Sequence, residues 1–285
     1  MRGVKLLALL LTLLSSFAAR AEPALHSIAQ HKVLKVGMLA GIAPFVVSGA
    51  DAVELQKLLS SEPPPPPMQK STDGRTLCGF DVELMTEVAR ALGARLEITL
   101  VDRFDDLLAG LRDGRYDLVA SGLTRNLERA KVLAFTDPYF ASGLQVLVHD
   151  PKRFAVIDQL RRADLHVAFL GGTTAATFAG QELKGAHLRA LTGEAALYAA
   201  MDDPKIDAVV VDYVTARDAQ VRGRVKAALF PVEERRFTTE HFSFAVRQGD
   251  ADWVAWLNLF LKDEKSSGGF HRLAARYNAW FRTER

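Results

Sequence analysis

The sequence predicts an α/β protein built from two lobes, each a mostly parallel sheet flanked by helices, with two extended chain crossings between the lobes. Short β-rich apolar runs alternate with stretches of helical periodicity, which is typical of parallel sheets covered by helices. This alternation occurs twice, and the extended runs 143–148 and 241–246 separate the two sets. The 285 residues, of which 49% are hydrophobic and 25% charged, are sufficient for one large or two medium cores.

The first set of elements begins with strand 33–39, which ends just before Gly41. Apolar residues from Val82 to Leu92 recur at helical spacing, which predicts a helix between Gly79 and Gly93. The set is completed by strand 95–101, helix 105–112 and strand 116–120.

The second set begins with strand 166–170, which runs into the sequence GGTT before a helix. Its remaining elements are helix 194–201, the apolar strand 208–211, helix 214–222 and strand 225–229, with amphipathic helices over 251–263 and 269–280 after the second crossing. Ligands of such sheets bind outside the carboxyl ends of the strands, so the cleft between the lobes is the expected site.

The N-terminus has the pattern of a secretory signal peptide over residues 1–21. Arg2 and Lys5 precede an apolar run that is too short to span a membrane, and the A-x-A pattern at 19–21 predicts cleavage before Glu22. Cleavage removes three basic and no acidic side chains, which changes the formal net charge from +2 to −1. We therefore expect a periplasmic protein without a basic surface for nucleic acid.

Cysteine and histidine usage predicts neither a disulfide nor a metal site. Cys78 is the only cysteine, and the seven histidines lack the spacing of metal ligands. We expect the stability of the protein to come from packing, without a structural metal or a cofactor.

Residues 46–78 interrupt the pattern of the first lobe. They contain a helix predicted over 51–61, a proline run over 63–67 that predicts an exposed polyproline II stretch, and a turn-like segment over 71–75. The segment is either a surface insertion without a role or a flap over the cleft, because it leaves from the loop after the first strand.

The segment 117–140, DLVASGLTRNLERAKVLAFTDPYF, carries residues suited to a small carboxylate. A short strand ends at Ala120, the chain breaks at Ser121-Gly122, and Thr124, the expected helix N-cap Asn126 and Arg129 follow. The N–H groups of a first helical turn, a hydroxyl and a guanidinium together favour a carboxylate ligand. The alternative is an ordinary strand, loop and helix with a solvated arginine.

The mature chain as a whole resembles the periplasmic amino-acid-binding proteins of solute-binding protein family 3, the receptors of polar amino acid ABC importers. The resemblance rests on the order and spacing of VLKVGM with APF, GFDVELMTEVARALGARLEI, LLAGLRDGRYDLVASGLT with ERAKVLAFTDPYF, GGTT, IDAVVVD, FAVRQGD and GGFHRLAARYNAWF. It implies the type II periplasmic-binding-protein fold, whose cleft closes over the ligand by hinge bending. We place lobe 1 at 27–145 and 243–285 and lobe 2 at 149–238. The resemblance also implies a monomer that delivers its ligand to a membrane ABC permease.

The resemblance implies seven ligand-binding residues. Arg129 matches the arginine that pairs the ligand α-carboxylate, and Thr124 matches a hydroxyl donor in the same site. In lobe 2, Asp212 matches the acid that receives the α-ammonium, and Thr173 and Thr174 match hydroxyl and N–H donors to the carboxylate. The last two matches are Gly122, where a backbone group lines the pocket, and Phe104, near the position where a side chain covers the ligand.

The proposed roles of Arg129 and Asp212 agree with the chemistry of a zwitterion. An amino acid that leaves water loses solvation at both charged ends, so each end needs a partner inside the cleft. Partners on different lobes would make closure depend on the ligand. Asp212 could alternatively serve only as the N-cap of the helix that begins at Tyr213.

Two departures from the family pattern concern specificity. Many relatives carry an acid two residues after the first-strand glycine and an aromatic residue three positions further on, where this chain has Leu39 and Ile42. An acidic partner for a basic ligand side chain is therefore missing, which favours a neutral or apolar side chain or an unusual ligand.

A rival reading comes from the periplasmic cyclohexadienyl dehydratases, which share the fold and convert prephenate or arogenate. The chain is similar to them at SGLTRNLER, GGT and VDYVTAR. Those enzymes use a glutamate as general acid three residues after the aspartate, where this chain has Thr215, whose hydroxyl cannot protonate a leaving group near neutral pH. We therefore expect a non-enzymatic receptor. A sensor or accessory binding protein is a third alternative, favoured only by the insertion.

Overall fold

Two five-stranded sheets organise the chain in the computed structural model, which describes residues 22–60 and 64–281. The signal peptide predicted over residues 1–21 lies outside the described residues. None of the helices in the described ranges combines the length and the apolar character needed to cross a bilayer.

The helices and strands follow one another in an alternating order. The first elements are α1 (Ala24–His31), β1 (Val33–Leu39), β2 (Val47–Ser48), α2 (Ala50–Leu59), β3 (Gln69–Lys70), β4 (Thr76–Cys78), α3 (Phe80–Ala91), β5 (Arg95–Val101), α4 (Phe104–Arg112), β6 (Leu118–Val119), α5 (Leu127–Ala130) and β7 (Leu133–Phe135). They continue with β8 (Phe140–Ser142), β9 (Leu144–Val148), β10 (His166–Leu170), α6 (Thr174–Glu182), β11 (His187–Leu191), α7 (Glu194–Asp202), β12 (Ala208–Asp212), α8 (Tyr213–Val221) and β13 (Phe230–Pro231). The last are β14 (Glu240–Phe242), β15 (Ala245–Arg247), α9 (Ala251–Ser266), α10 (Gly269–Arg276) and α11 (Asn278–Phe281).

The two sheets have the same arrangement of strand directions. Their strand orders are β5-β1-β6-β15-β7 and β11-β10-β12-β9-β13. In each sheet three neighbouring strands are parallel, the fourth is antiparallel to the third, and the fifth is antiparallel to the fourth. Four of the five strands therefore share a direction, which confirms the predicted mostly parallel lobes. The reversed strands, β15 and β9, are those that follow the crossings between lobes.

The crossings are the antiparallel pair β8 and β14, in which Ser142 lies opposite Glu240. The prediction of one extended segment over 241–246 was wrong in detail, because β14 ends at Phe242 and β15 begins at Ala245. Between them, the Ser243 N–H donates to the Leu123 carbonyl at 3.0 Å rather than to a strand partner. The chain thus leaves the crossing pair before it joins the first sheet.

A strand predicted over 225–229 is also absent, and β13 follows it at Phe230–Pro231. The Asp202 carboxylate accepts the backbone N–H groups of Lys226 at 2.6 Å and Ala227 at 2.9 Å. These two donors are consequently unavailable to a sheet. Val225 and Leu229 still pack against the apolar residues of the second lobe, which explains their strand-like sequence.

The segment 46–78 forms a small substructure on the first lobe. Strands β2, β4 and β3 make an antiparallel sheet, and the buried residues Ala52, Leu55 and Leu59 of α2 join the first-lobe core. In the described part of the proline run, Pro66 is buried and its carbonyl accepts the Gln56 amide at 2.9 Å. The other described prolines of the run are exposed.

Helix α2 also contacts the second lobe through ion pairs. The Arg224 guanidinium lies 2.8 Å from both the Asp51 and the Glu54 carboxylates. The Arg222 side chain is fully buried and lies 3.7 Å from Asp51, 3.6 Å from Glu54 and 3.6 Å from Asp218. We call this set of five residues the α2–α8 brace.

Candidate functional site

A cleft between the lobes, with about 650 Å³ of space free of protein atoms including the part open to solvent, is lined by the carboxyl ends of strands and the loops that follow them. All seven residues expected to bind ligand line this cavity, namely Phe104, Gly122, Thr124, Arg129, Thr173, Thr174 and Asp212. None of the described residues of 46–78 is among those lining it.

Arg129 enters the cavity from the first lobe. Its position is fixed by the start of α5, where the Asn126 side chain accepts the Arg129 N–H at 2.8 Å as the N-cap. One guanidinium nitrogen, Nη1, donates to the Thr124 carbonyl at 2.6 Å, and Nη2 donates across the cleft to the Gly172 carbonyl at 3.5 Å. The guanidinium also lies 4.5 Å from the centre of the Phe104 ring.

Burial lowers the pKa of Arg129 to about 10, while the negative charges of Glu240 and Asp212 act in the opposite direction. The guanidinium therefore remains charged at neutral pH. It is the only cationic side chain among the residues that line the described cavity. A carboxylate in the cavity would find its donors there.

Asp212 enters the same cavity from the second lobe, at the end of β12. It occupies the N-cap position of α8, yet its side chain makes no capping hydrogen bond. Within the described chain, Asp212 Oδ1 is buried without a hydrogen-bond partner. Capping therefore does not account for this carboxylate.

The pKa of Asp212 is raised to about 7, chiefly by burial and also by the charge of Glu240. Arg129 and the Ser142 hydroxyl lower it in part. A buried carboxylate with an unsatisfied oxygen is suited to a cationic or hydrogen-bond-donating ligand group.

The start of α6 supplies backbone donors on the second-lobe side. Thr173 is the N-cap residue, and the first N–H groups of a helix have no partner within the helix. The Thr173 hydroxyl donates its proton to the Leu170 carbonyl at 2.8 Å, so it can offer a ligand only its oxygen. Thr174 is the first residue of α6 and lines the cavity.

Gly122 is held by a residue that sequence reasoning missed, Asp81 at the start of α3. The Asp81 Oδ2 atom accepts the Gly122 N–H at 2.7 Å and the Tyr139 hydroxyl at 2.9 Å. Gly122 has a φ of +54°, and a Cβ there would lie 3.3 Å from the Ile42 side chain. The close approach and the positive φ both favour glycine, and Asp81 fixes the loop that presents Thr124.

Part of the cavity lining is apolar. Leu39 and Ile42, which replace the acid and the aromatic residue of many relatives, both line it, as does Phe104. Thr215 lies at the second-lobe side of the same cavity. In the described residues, no group of three or more His, Cys, Asp and Glu side chains is arranged to hold a metal ion.

Comparison with known families decides the assignment. Residues 59–282 match the model of the bacterial extracellular solute-binding proteins, family 3. The chain belongs to this family. The resemblance read from the motifs and the two-lobed fold are thereby confirmed.

Three relatives illustrate the range of the family around this chain. A probable histidine-binding protein from Neisseria gonorrhoeae is 30% identical over 204 residues, which cover 70% of this chain and 75% of that protein. The crystal structure of the ancestral amino acid-binding protein AncCDT-1, a precursor of cyclohexadienyl dehydratase, superposes with a TM-score of 0.72 at 28% identity, covering 90% of this chain and 99% of that chain. The cyclohexadienyl dehydratase of Pseudomonas aeruginosa is 28% identical over 141 residues, which cover 49% of this chain and 52% of the enzyme.

Proposed function

We propose that this protein is a periplasmic receptor that closes on an amino acid, or a related small carboxylate, and delivers it to a membrane ABC permease. The observation that carries the proposal is the pairing of Arg129 and Asp212 across one cavity, each on a different lobe and each half-buried. The unsatisfied Asp212 Oδ1 atom gives the ammonium group of an amino acid a partner. A zwitterion would bridge the lobes and stabilise the closed form.

The α-carboxylate would bind Arg129, the Thr124 hydroxyl and the N–H groups at the start of α6. Phe104 would cover the ligand and keep the guanidinium in place through its ring face. The apolar wall of Leu39 and Ile42 would contact the ligand side chain. We therefore propose a ligand with a neutral or apolar side chain, bound by a monomer without metal or cofactor.

The relatives support the ligand class. The Neisseria protein is a probable histidine-binding protein, and AncCDT-1 is an amino acid-binding protein. Membership in an extracellular solute-binding family supports export and a partnership with a permease.

A dehydratase is the second candidate, because a cyclohexadienyl dehydratase and a precursor of such enzymes are both similar to this chain. Thr215 argues against it. Thr215 lines the cavity at the position where the resemblance predicts a general acid, and a threonine hydroxyl is far too weak an acid to protonate a leaving group near neutral pH. Asp212, with an unsatisfied oxygen, favours a ligand that carries an ammonium group, which prephenate lacks.

Isothermal titration calorimetry of the mature protein against amino acids, opines and prephenate tests the proposal. Arg129→Ala and Asp212→Ala should each weaken binding by about 2–5 kcal/mol, as expected when one member of a buried charge pair is removed. Arg125→Ala is the matched control, since Arg125 is an exposed arginine of the same segment that does not line the cavity. Phenylpyruvate formation from prephenate would overturn the non-enzymatic reading, and unchanged affinity in either site variant would remove that residue from the site.

A further inference from the structure

A tyrosine hydroxyl on the second lobe stands between two carboxyl groups. Tyr198 Oη lies 3.0 Å from Glu194 Oε1 and 2.6 Å from Asp218 Oδ2. Glu194 and Tyr198 belong to α7, and Asp218 belongs to α8. A phenol carries one hydrogen and can donate it to only one of the two carboxyl groups. The other contact therefore requires a hydrogen on the carboxyl group itself.

The contacts indicate which acid carries the additional proton. The contact of 2.6 Å is as short as expected for a hydroxyl that donates to a carboxylate. Asp218 is also suited to a negative charge, because its Oδ1 atom accepts the Trp280 indole N–H at 2.9 Å and the Arg222 guanidinium lies 3.6 Å away. Tyr198 thus donates to Asp218, and a protonated Glu194 donates to Tyr198.

Both ends of this chain of hydrogen bonds contact the first lobe. Gly41, in the loop after β1, lies so close to Glu194 that a Cβ at this glycine would be 2.5 Å from the Glu194 Cβ atom. At the other end, Trp280 donates to Asp218 and belongs to the first-lobe core. Opening of the cleft would therefore remove first-lobe groups from both acids and admit water to them.

The environment of Glu194 disfavours its ionised form. The pKa of Glu194 is raised to about 7, chiefly by burial and also by the charges of Asp218 and Asp51. The Tyr198 hydroxyl and the Ala43 backbone N–H lower this pKa in part. Burial raises the pKa of Asp218 as well, and two coupled buried acids resist double ionisation.

The loop before α4 and the start of that helix bring further charged groups towards Glu194. Asp102, Arg103 and Asp105 line the same space between the lobes as Glu194 does. The Arg103 guanidinium lies 3.8 Å from the Asp106 carboxylate, so it is shared with another acid. This face of the first lobe therefore adds more negative than positive charge near Glu194.

We propose that closure of the cleft adds one proton to Glu194, which makes it a positioning residue that couples ligand capture to pH. The inference rests on the proposed function, because it requires a ligand that closes the lobes. In the step, the Glu194 carboxylate of the open form takes one proton from solvent, and the new O–H group donates to Tyr198. No other covalent bond forms or breaks.

A proton gained on closure makes the ligand affinity highest at low pH. In the open form water reaches Glu194, and its pKa returns towards the ordinary value of about 4.3. Because the closed form has the higher pKa, this contribution to closure is complete below about pH 4 and is lost as the pH rises through about 7. Through this residue, each ligand should bring about half a proton near pH 7, and affinity should decrease about tenfold between about pH 6 and 8.

The test is calorimetry of the mature protein in buffers of different ionisation enthalpy, which counts the protons exchanged on binding. The probes are L-alanine, L-leucine, L-glutamine and L-arginine, none of which titrates between about pH 5.5 and 8. Glu194→Gln supplies an amide that donates to Tyr198 as the protonated acid does. The variant should take up about half a proton less than the wild type near pH 7. It should also bind more tightly than the wild type, by a factor that grows about tenfold between about pH 6 and 8.

Two further variants make the comparison specific. Asp218→Asn frees the Tyr198 hydroxyl to donate to an ionised Glu194, so it should likewise lower the proton uptake, and the answer does not depend on one variant. Glu234→Gln is the matched control at an exposed acid of the same lobe, and it should exchange protons as the wild type does. Any titration of Asp212 is common to all these proteins, so the differences between them report on Glu194.

The outcomes separate this inference from the proposed function. Equal proton counts in the wild type and Glu194→Gln, or an affinity ratio that stays within twofold between about pH 6 and 8, would overturn the inference and leave the proposed function intact. A merely structural role of Glu194 would give that result, because it would change affinity by the same factor at every pH. Failure of the wild type to bind all four probes would instead overturn the proposed capture of amino acids and this inference together.

Discussion

The α2–α8 brace should contribute to ligand affinity, because it joins the insertion to the lobe that carries Asp212. The double substitution Asp51→Asn with Glu54→Gln removes both acids and preserves side-chain size. Breaking a buried ion pair costs about 3–5 kcal/mol. Here the loss is smaller, because the two acids are 42% and 45% exposed and Asp218 still faces the fully buried Arg222.

We expect about 1–2 kcal/mol of this loss to fall on the closed form, since opening of the lobes would separate α2 from Arg222 and Arg224. The apparent affinity for the ligand should then decrease about 5–30-fold. Calorimetric titrations at low and high salt measure it. Salt should weaken binding to the wild type more than binding to the double variant, because partly exposed ion pairs are screened.

Glu87→Gln serves as the control for the loss of an acid. Glu87 forms an exposed i,i+3 pair with Arg90 on α3, and such surface pairs contribute little. Circular dichroism and urea unfolding confirm that each variant is folded. An affinity of the double variant within twofold of the wild type, with the same salt dependence, would show that the brace does not distinguish the open from the closed form.

Variants at two further residues, Phe104 and Asp81, test the lining and the support of the cavity. Phe104→Ala removes the ring over the Arg129 guanidinium and should weaken binding about 2–30-fold by calorimetry, whereas Phe104→Leu tests apolar cover without the ring. Burial raises the pKa of Asp81 to about 7. Between about pH 4 and 7 the native protein therefore keeps a proton on Asp81 that the unfolded chain has lost. The free energy of unfolding of the wild type decreases as the pH rises through this range. Asp81→Asn retains an acceptor for the Gly122 N–H and lacks this titration. Urea unfolding at about pH 5 and 8 measures the free energy of unfolding of both proteins. Between these pH values the variant should gain on the order of 2 kcal/mol in free energy of unfolding relative to the wild type.

The local periodicity of the sequence predicted the alternation of strands and helices, because each element buries a regular apolar face. It failed at 225–229, where the Asp202 side chain takes the backbone donors that a strand would need. The cavity residues could be named because the motifs around Arg129 and Asp212 are short and ordered. Asp81 could not, since nothing next to it in the chain reveals that its carboxylate accepts the Gly122 N–H. The contact of Asp51 with Arg224 likewise joins distant parts of the chain.

The balance of charge at the cavity bears on the choice between a receptor and a dehydratase. Arg129 can receive one carboxylate, and Asp212 presents a carboxyl group to the same cavity from the second lobe. A zwitterion satisfies both ends, with its ammonium at Asp212. Prephenate has two carboxylates and no ammonium, so its second carboxylate would meet no cation in the described cavity and Asp212 would keep its proton or repel the ligand. Because Thr215 also offers no group acidic enough to act as a general acid, the cavity favours capture of an amino acid over the dehydration of prephenate.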